Sequence, residues 1–360
     1  MIRAQRADMW NMANVAQLAE FDEIIDVRTP SEFAEDHVPG AVNRPVLADE
    51  ERARIGTLYK QVSAFTGRKA GAALVSRNIA QHVEASFMEK PKSWRPLVYC
   101  WRGGKRSEAM VHILREIGWD AHRLEGGYKA YRRTVVAELP QLARRYGFRV
   151  VCGLTGSGKS RLLETLDSLG AQVLDLERLA AHRGSVLGNL PDEPQPAQKM
   201  FESRIWWRLQ SFDAKSAVFV ESESKRIGAL QVPDELMNAM RESACVRVET
   251  ATATRVQLLQ EQYAHFLADP AALGRQLDCL VQLHGRLTIE RWNELAQRGE
   301  WDVLVRELLE RHYDPAYTRS IASHYLQLAQ ARTVEIPAFD DASFVTAARA
   351  LIEELTQAAA

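Results

Sequence analysis

The run Gly153-Leu-Thr-Gly-Ser-Gly-Lys-Ser160 constrains this chain more than any other stretch. It fits G-x4-G-K-[ST] in full, follows the apolar segment FRVVC and precedes SRLLETLDSLG, which is apolar at helical spacing. A strand, a glycine-rich loop and a helix in that order make a phosphate cradle, because the loop N–H groups and the helix N-terminus all present positive charge to an anion. Gly153, Thr155, Gly156, Ser157 and Gly158 form the loop, Lys159 neutralises the terminal phosphates, and the Ser160 hydroxyl can ligate Mg²⁺. AQVLDLE, SAVFVESES and SACVRVET read as further strands of the same parallel sheet. Asp175, Glu221 and Glu223 fall at strand ends, where a carboxylate either orders a metal or its water or simply caps a loop. The segment HRGSVLGNL carries Arg183, Gly184, Ser185 and Gly188 and reads equally as a flap over the substrate or a turn-rich connector. No base-reading motif follows, so ATP, GTP and a non-nucleotide diphosphate all stay open as ligands, and no metal is assigned.

One P-loop domain does not use up 360 residues, and two domains are expected. The N-terminal part alternates strand and helix: FDEIIDVR and PLVYC read as strands, a helical stretch runs from about Asp49 to Glu89, and SEAMVHILREIGW is an amphipathic helix. Residues 1–20 read as a short strand plus a helix. The Arg-rich, strand-free segment from Lys129 to Arg149 holds the boundary, which gives domains of 1–138 and 139–360, the second ending in a mostly helical region from Arg255 to about Leu328. The fold class expected is α/β throughout: a parallel-sheet domain followed by a P-loop α/β domain with a helical C-terminal region.

The four cysteines, Cys100, Cys152, Cys245 and Cys279, form no CxxC pair, which argues against a disulfide framework or structural zinc. With no apolar leader and no long apolar run, a reducing cytoplasm and no membrane are expected, and there a thiol stays free to react. Only Cys100 has reactive surroundings. It ends the strand PLVY and is followed by Trp101, Arg102, Gly103, Gly104, Lys105, Arg106 and Ser107. The glycines let backbone N–H groups curl around the sulfur, and the following helix N-terminus and three cations favour the thiolate. The spacing Cys-x5-Arg-Ser suits a tetrahedral anion, with Arg106 binding two of its oxygens. Tyr99 stands where cysteine phosphatases often have a histidine, which weighs against phosphatase chemistry.

IDVRTPSEFAEDHVPGAVNRP, the Cys100 loop and LEGGY together resemble a rhodanese domain, with Asp26, Arg28, Glu32, His37 and Gly40 at positions that shape it. His37 reads more readily as a structural hydrogen-bonding group than as an acid or base. The fusion of such a domain to a P-loop domain resembles the tRNA 2-selenouridine synthase family, as do YKQVSAFTGRKAGAALVSRNI, CWRGGKRS, GLTGSGKS, LDLERLAAHRGSVLG and HYDPAY. The resemblance implies conversion of 2-thiouridine at the tRNA wobble position to 2-selenouridine. Its co-substrates are selenophosphate and geranyl diphosphate, its intermediate S-geranyl-2-thiouridine, and its partners the tRNA anticodon loop and a selenophosphate-supplying enzyme. On that reading Lys159 and Ser160 hold the geranyl diphosphate, and Cys100 and Arg106 handle the selenium, with a selanylcysteine held in the amide cradle.

A net charge of −1 gives no global field for RNA, so local patches must serve. Arg132, Arg133, Arg144, Arg145 and Arg149 near the boundary, and Arg204 and Arg208 interleaved with Trp206 and Trp207 in RIWWRLQ, are the candidates, set against a solvated linker and a core-facing aromatic pair. The rival functions are an ATP-dependent kinase-like enzyme with a rhodanese module, a sulfurtransferase or sulfur carrier whose P-loop gates docking, and a cysteine phosphatase.

Overall fold

The computed structural model describes residues 12–359; the part of the strand and helix expected over residues 1–20 that falls on residues 1–11 lies outside them. The chain divides into two compact units. One runs up to Leu139 and also takes Ala197–Arg204; the other comprises Pro140–Pro196 and the chain from Ile205 onward. The sequence reading gave 197–204 to the second domain. The structure returns this segment to the first unit, where Arg132 donates to the Lys199 carbonyl at 3.1 Å and pairs with Glu202, and Lys199 pairs with Glu35. The division at 139/140 falls inside the continuous helix Gly127–Arg145.

The first unit is built on five strands: β1 (Met12–Ala13), β2 (Glu23–Asp26), β3 (Val42–Asn43), β4 (Pro96–Tyr99) and β5 (His122–Leu124). Their order is β1-β5-β4-β2-β3 and every pairing is parallel. PLVY is buried at all four positions, as a short apolar run with no alternation demands of a central strand. Ile25, Val27 and Val98 pack with Phe87, Trp94, Met110, Leu114 and Trp119 from the covering segments. The expected helical stretch after Asp49 resolves into helices Asp49–Thr57 and Ala64–His82 joined through the wider turn Leu58–Val62.

A buried ion pair ties this sheet to its flanking helices. Asp26 closes β2 fully buried, and Arg28, two residues on, is 1% exposed. The guanidinium reaches the Asp26 carboxylate at 2.6 Å through Nη2 and at 2.9 Å through Nε, donates to the Asp36 carbonyl at 2.6 Å, and lies 4.0 Å from the Tyr128 ring centroid. Tyr128 in turn donates to the Asp36 carboxylate at 2.8 Å. Asp26 and Arg28 are therefore paired and hydrogen-bonded, the condition under which such groups tolerate burial.

The second unit carries β6 (Phe148–Cys152), β7 (Gln172–Leu174), β8 (Val218–Glu221), a small hairpin of β9 (Arg226–Ile227) and β10 (Leu230–Gln231), then β11 (Ala244–Thr250) and β12 (Arg332–Ile336). Its main sheet has the order β12-β11-β6-β8-β7, again wholly parallel. Arg149 lies within β6, not in a strand-free segment. Helices fill the stretch from Thr252 to His324, with Trp292 at the centre of their core beside Leu277, Leu304 and Leu308. The tail that reads as merely Ala-rich is the helix Asp341–Ala359, whose Phe344, Ala348 and Leu351 pack with Leu162 and Leu166 of the P-loop helix.

Replacing Arg28 by alanine leaves the buried Asp26 without its ion partner, while the backbone N–H at position 28 still donates to it. Arg28→Ala is expected to destabilise the first unit by about 3–5 kcal/mol. Denaturant unfolding followed by tryptophan fluorescence measures it, and an unchanged midpoint contradicts this role.

Candidate functional site

Cys100 leaves the central strand β4 almost wholly buried. The Gly104 N–H donates to its sulfur at 3.2 Å and the Ser107 hydroxyl at 3.3 Å. The helix Lys105–Ile117 starts directly behind, with Gly104 at its N-cap. The loop is held from behind by LEGGY: Tyr128 N–H donates to the Cys100 carbonyl at 2.8 Å and Lys129 N–H to the Trp101 carbonyl at 3.0 Å. Gly127 has φ +57°, and a Cβ there would stand 2.3 Å from the Cys100 carbonyl oxygen and 2.5 Å from the Gly103 nitrogen. Only glycine permits so close a pass.

Among the cations expected around the sulfur, Arg102 and Lys105 are exposed. Arg106 is engaged differently: its guanidinium binds the Glu32 carboxylate at 2.8 and 3.4 Å. Burial pushes the Glu32 carboxyl up, but the Arg106 hydrogen bond and charge outweigh it and hold the group below its ordinary range. Glu32 also accepts from Thr29 N–H and completes the capping box of helix Pro30–Glu35. An anion bound by Arg106 must therefore share it with Glu32. Trp101 is exposed and stacks obliquely on Tyr128, 5.2 Å between centroids. His37 lies stacked on Phe33 at 3.7 Å with Nδ1 on the Phe33 carbonyl at 2.8 Å, a local structural contact.

The P-loop follows β6. Gly156 and Gly158 have φ of +76° and +87°, the left-handed turns that curl the loop. Lys159 Nζ donates to the Gly153 carbonyl at 2.9 Å and the Leu154 carbonyl at 3.3 Å, and stands 3.5 Å from Glu221. Burial lowers the Lys159 pKa, but Tyr317 and the carboxylates of Glu221, Glu177 and Glu223 raise it further, so the ammonium stays charged. The Ser160 hydroxyl lies 3.2 Å from Glu177 and 3.4 Å from Glu221. Arg255, buried and paired with Asp314, donates to the Thr155 carbonyl at 2.9 and 2.8 Å, while Thr250 donates to the Ser157 carbonyl at 2.8 Å. The Tyr317 hydroxyl accepts from Gly153 N–H at 2.6 Å.

Gly156, Gly158, Lys159, Ser160, Glu221 and Tyr317 line a cavity of about 810 Å³ that also takes in Arg183 and Ser185. Oxygens of Glu177, Glu221 and Glu223 lie within 4.8 Å of one another on its wall. Burial, and then Glu221, push Glu223 up to about 8. Burial likewise raises Glu177 and Glu221. Three crowded carboxylates beside the P-loop serine suit a hard divalent cation. Asp175 is elsewhere: it caps helix Leu176–Ala180 through Arg178 N–H at 2.8 Å. Arg183 lies over the Tyr263 ring at 5.0 Å, and the Ser185 hydroxyl meets the Tyr263 hydroxyl at 3.2 Å. Glu177, Arg255, Tyr263 and Tyr317 escaped the sequence reading as site residues; Glu177 and Tyr317 had the signal of lying in LDLERLAAHRGSVLG and HYDPAY, and Arg255 and Tyr263 had none.

The basic candidates separate. Arg133, Arg144 and Arg145 are exposed, Arg132 is paired with Glu202, and Arg208 binds Asp167 at 2.7 Å and the Val173 carbonyl at 3.1 Å. Arg204 is half-buried in the segment that joins the first unit. Trp206 is buried, which makes it a packing residue, with Trp207 half-buried beside it.

A cysteine loop on one parallel sheet and a P-loop on another define a protein of two α/β units, one rhodanese-like and one P-loop-like. Residues 7–134 match the rhodanese-like domain model, and residues 146–335 match that of the tRNA 2-selenouridine synthase AAA domain. The tRNA 2-selenouridine synthase of Nitrosomonas europaea is 37% identical over 244 residues, 67% of this chain and 63% of that protein. Those of Aeromonas salmonicida and Salmonella newport are 32% and 33% identical over 82% of this chain, and 86% and 87% of their own lengths. The chain belongs to the tRNA 2-selenouridine synthase family. Among the described residues no helix is long and apolar enough to cross a membrane.

Two outcomes follow from this geometry. Gly127→Ala forces an L side chain into a left-handed turn against the cysteine loop, with strain on the order of 1–3 kcal/mol. It should speed iodoacetamide labelling of Cys100; labelling and stability equal to wild type contradict the close-pass argument. Glu223 ionises near 4.5 when unfolded and near 8 when folded, so the folded state holds the extra proton between those values and stability falls as pH rises across them. Glu223→Gln should remove part of that slope in thermal melts from about pH 5 to 9 with chelator present, and an unaltered slope contradicts it.

Proposed function

We propose that this protein converts 2-thiouridine in the tRNA anticodon loop to 2-selenouridine in two steps, geranylation at the P-loop and selenation at the Cys100 loop. Family membership supports the tRNA selenouridine chemistry. The observation that carries the geranyl step is an apolar cleft opening beside the phosphate cradle. Thr155, Leu259 and Tyr263 line both it and the phosphate cavity, and Phe266, Leu273, Trp301, Leu304 and Leu308 continue it. The cleft is lined almost wholly by apolar side chains, which suits an isoprenoid better than a nucleoside; with about 60 Å³ open, those side chains must part to admit a ten-carbon chain.

In the first step the thiouridine sulfur attacks the geranyl carbon that bears the diphosphate; the carbon–oxygen bond breaks and pyrophosphate leaves. Lys159 and the loop N–H groups stabilise the charge that grows on that leaving group. Ser160, Glu177, Glu221 and Glu223 would hold a divalent cation, which would neutralise further phosphate charge. Alkylation turns the sulfur at carbon 2 into a better leaving group. In the second step selenium from selenophosphate bonds to carbon 2, geranyl thiol departs, and water releases the donor's phosphorus as phosphate. Gly104 N–H, Arg102, Lys105 and the helix N-terminus attract the donor, whose selenium stays bonded to phosphorus beside Cys100 until it bonds to carbon 2. A free thiol at Cys100 fits a reducing cytoplasm, and a selenophosphate-supplying enzyme is the natural partner.

The two steps separate by mutation. Lys159→Ala should slow S-geranylation by about 10²–10³-fold. Cys100→Ala should keep making S-geranyl-2-thiouridine but yield no 2-selenouridine. Nucleoside mass spectrometry reads both products, and a Lys159→Ala protein that geranylates normally contradicts the assignment.

A further inference from the structure

Between Arg52 and Val83 the sequence holds Arg52, Arg54, Lys60, Arg68, Lys69 and Arg77 and no aspartate or glutamate. In a chain of net charge −1 that is a concentrated local excess. The segment covers the end of the helix Asp49–Thr57, whose first turn carries Asp49, Glu50 and Glu51, the wide turn after it and the helix Ala64–His82. Near that turn Tyr59, Val62 and Phe65 stand 52%, 65% and 64% exposed, large side chains that no core explains. Lys69 Nζ lies 4.9 Å from the Phe65 ring centroid, so cation and aromatic share one surface.

These helices and the helix Lys105–Ile117 enclose a groove of about 800 Å³. Tyr59 and Arg68 line one side, and Lys105, His112, Arg115 and Arg123 the other. Two carboxylates also face it: Glu108, 3.7 Å from Arg123, and Glu116. Lys105 opens the helix directly after the Cys100 loop, so the groove ends beside the sulfur.

We propose that this groove, with the exposed Phe65 and Lys69 outside its lining, is the RNA-binding track of the first unit: its arginines and lysine hold backbone phosphates, Tyr59 stacks an unpaired base within it and Phe65 another beside it, and the strand is led to Cys100. Rows of cations interleaved with exposed aromatics recognise single-stranded RNA, because phosphates need charge and splayed bases need flat apolar faces. The inference rests on the RNA substrate proposed above, but it names a surface separate from the arginines of 132–149 and 204–208.

The test uses the full-length protein and a fluorescein-labelled anticodon stem-loop RNA, with anisotropy titrations at several salt concentrations. Arg68→Ala should weaken binding and lower the salt slope by about 1, as loss of one phosphate contact does. Tyr59→Ala should weaken binding about tenfold with the slope kept, as loss of one stacked base does. Arg68→Lys and Tyr59→Phe should restore affinity. Binding of geranyl diphosphate should be equal in every variant. If Tyr59→Ala misfolds, Arg68→Ala decides alone. Wild-type affinity and slope in Arg68→Ala and Tyr59→Ala overturn the groove while leaving the proposed function intact. A wild-type protein that binds no RNA overturns both.

Discussion

In each unit the reactive loop leaves the carboxyl end of the middle strand of a five-stranded parallel sheet. β4 delivers Cys100 and β6 delivers the P-loop. Parallel strands need connections that cross back over the sheet, so the loops that leave β4 and β6 each run into a helix N-terminus. Buried neighbours on both sides hold the middle strand, which makes it the most rigid place from which to hang an anion cradle. The further contacts refine that placement: LEGGY braces the cysteine loop through Gly127, and Arg255, Thr250 and Tyr317 grip the P-loop backbone from elements far along the chain.

The two cradles differ in electrostatic surroundings. Arg102 and Lys105 stand exposed beside Cys100, and Arg106 is balanced by Glu32. Lys159 is instead buried among Glu177, Glu221 and Glu223. The first arrangement attracts a small anion from solvent. The second suits a bound cation, since crowded buried carboxylates are stable when a positive charge lies between them.

Local signals carried most of what the sequence disclosed. The P-loop, the Cys100 loop and the apolar strands are each written in consecutive residues, and the structure contains all of them. What escaped depends on contacts between distant residues. Arg106 meets Glu32 across 74 positions and Arg255 reaches Thr155 across 100, and no spacing rule registers such pairs. Ala197–Arg204 belongs with the first unit because of ion pairs to Arg132 and Glu35. β12 is a five-residue edge strand that is half polar, so its apolar pattern is too short to stand out. In RIWWRLQ the sequence could not say which tryptophan faces the core, since composition marks a residue as apolar without saying what covers it.

The most direct test of the two-site account is nucleoside mass spectrometry of 2-thiouridine tRNA incubated with the purified wild-type protein and each co-substrate, separately and together. The account predicts S-geranyl-2-thiouridine with geranyl diphosphate alone and 2-selenouridine when both donors are present. Unmodified tRNA accompanied by consumption of ATP would contradict it and assign the P-loop to a nucleotide.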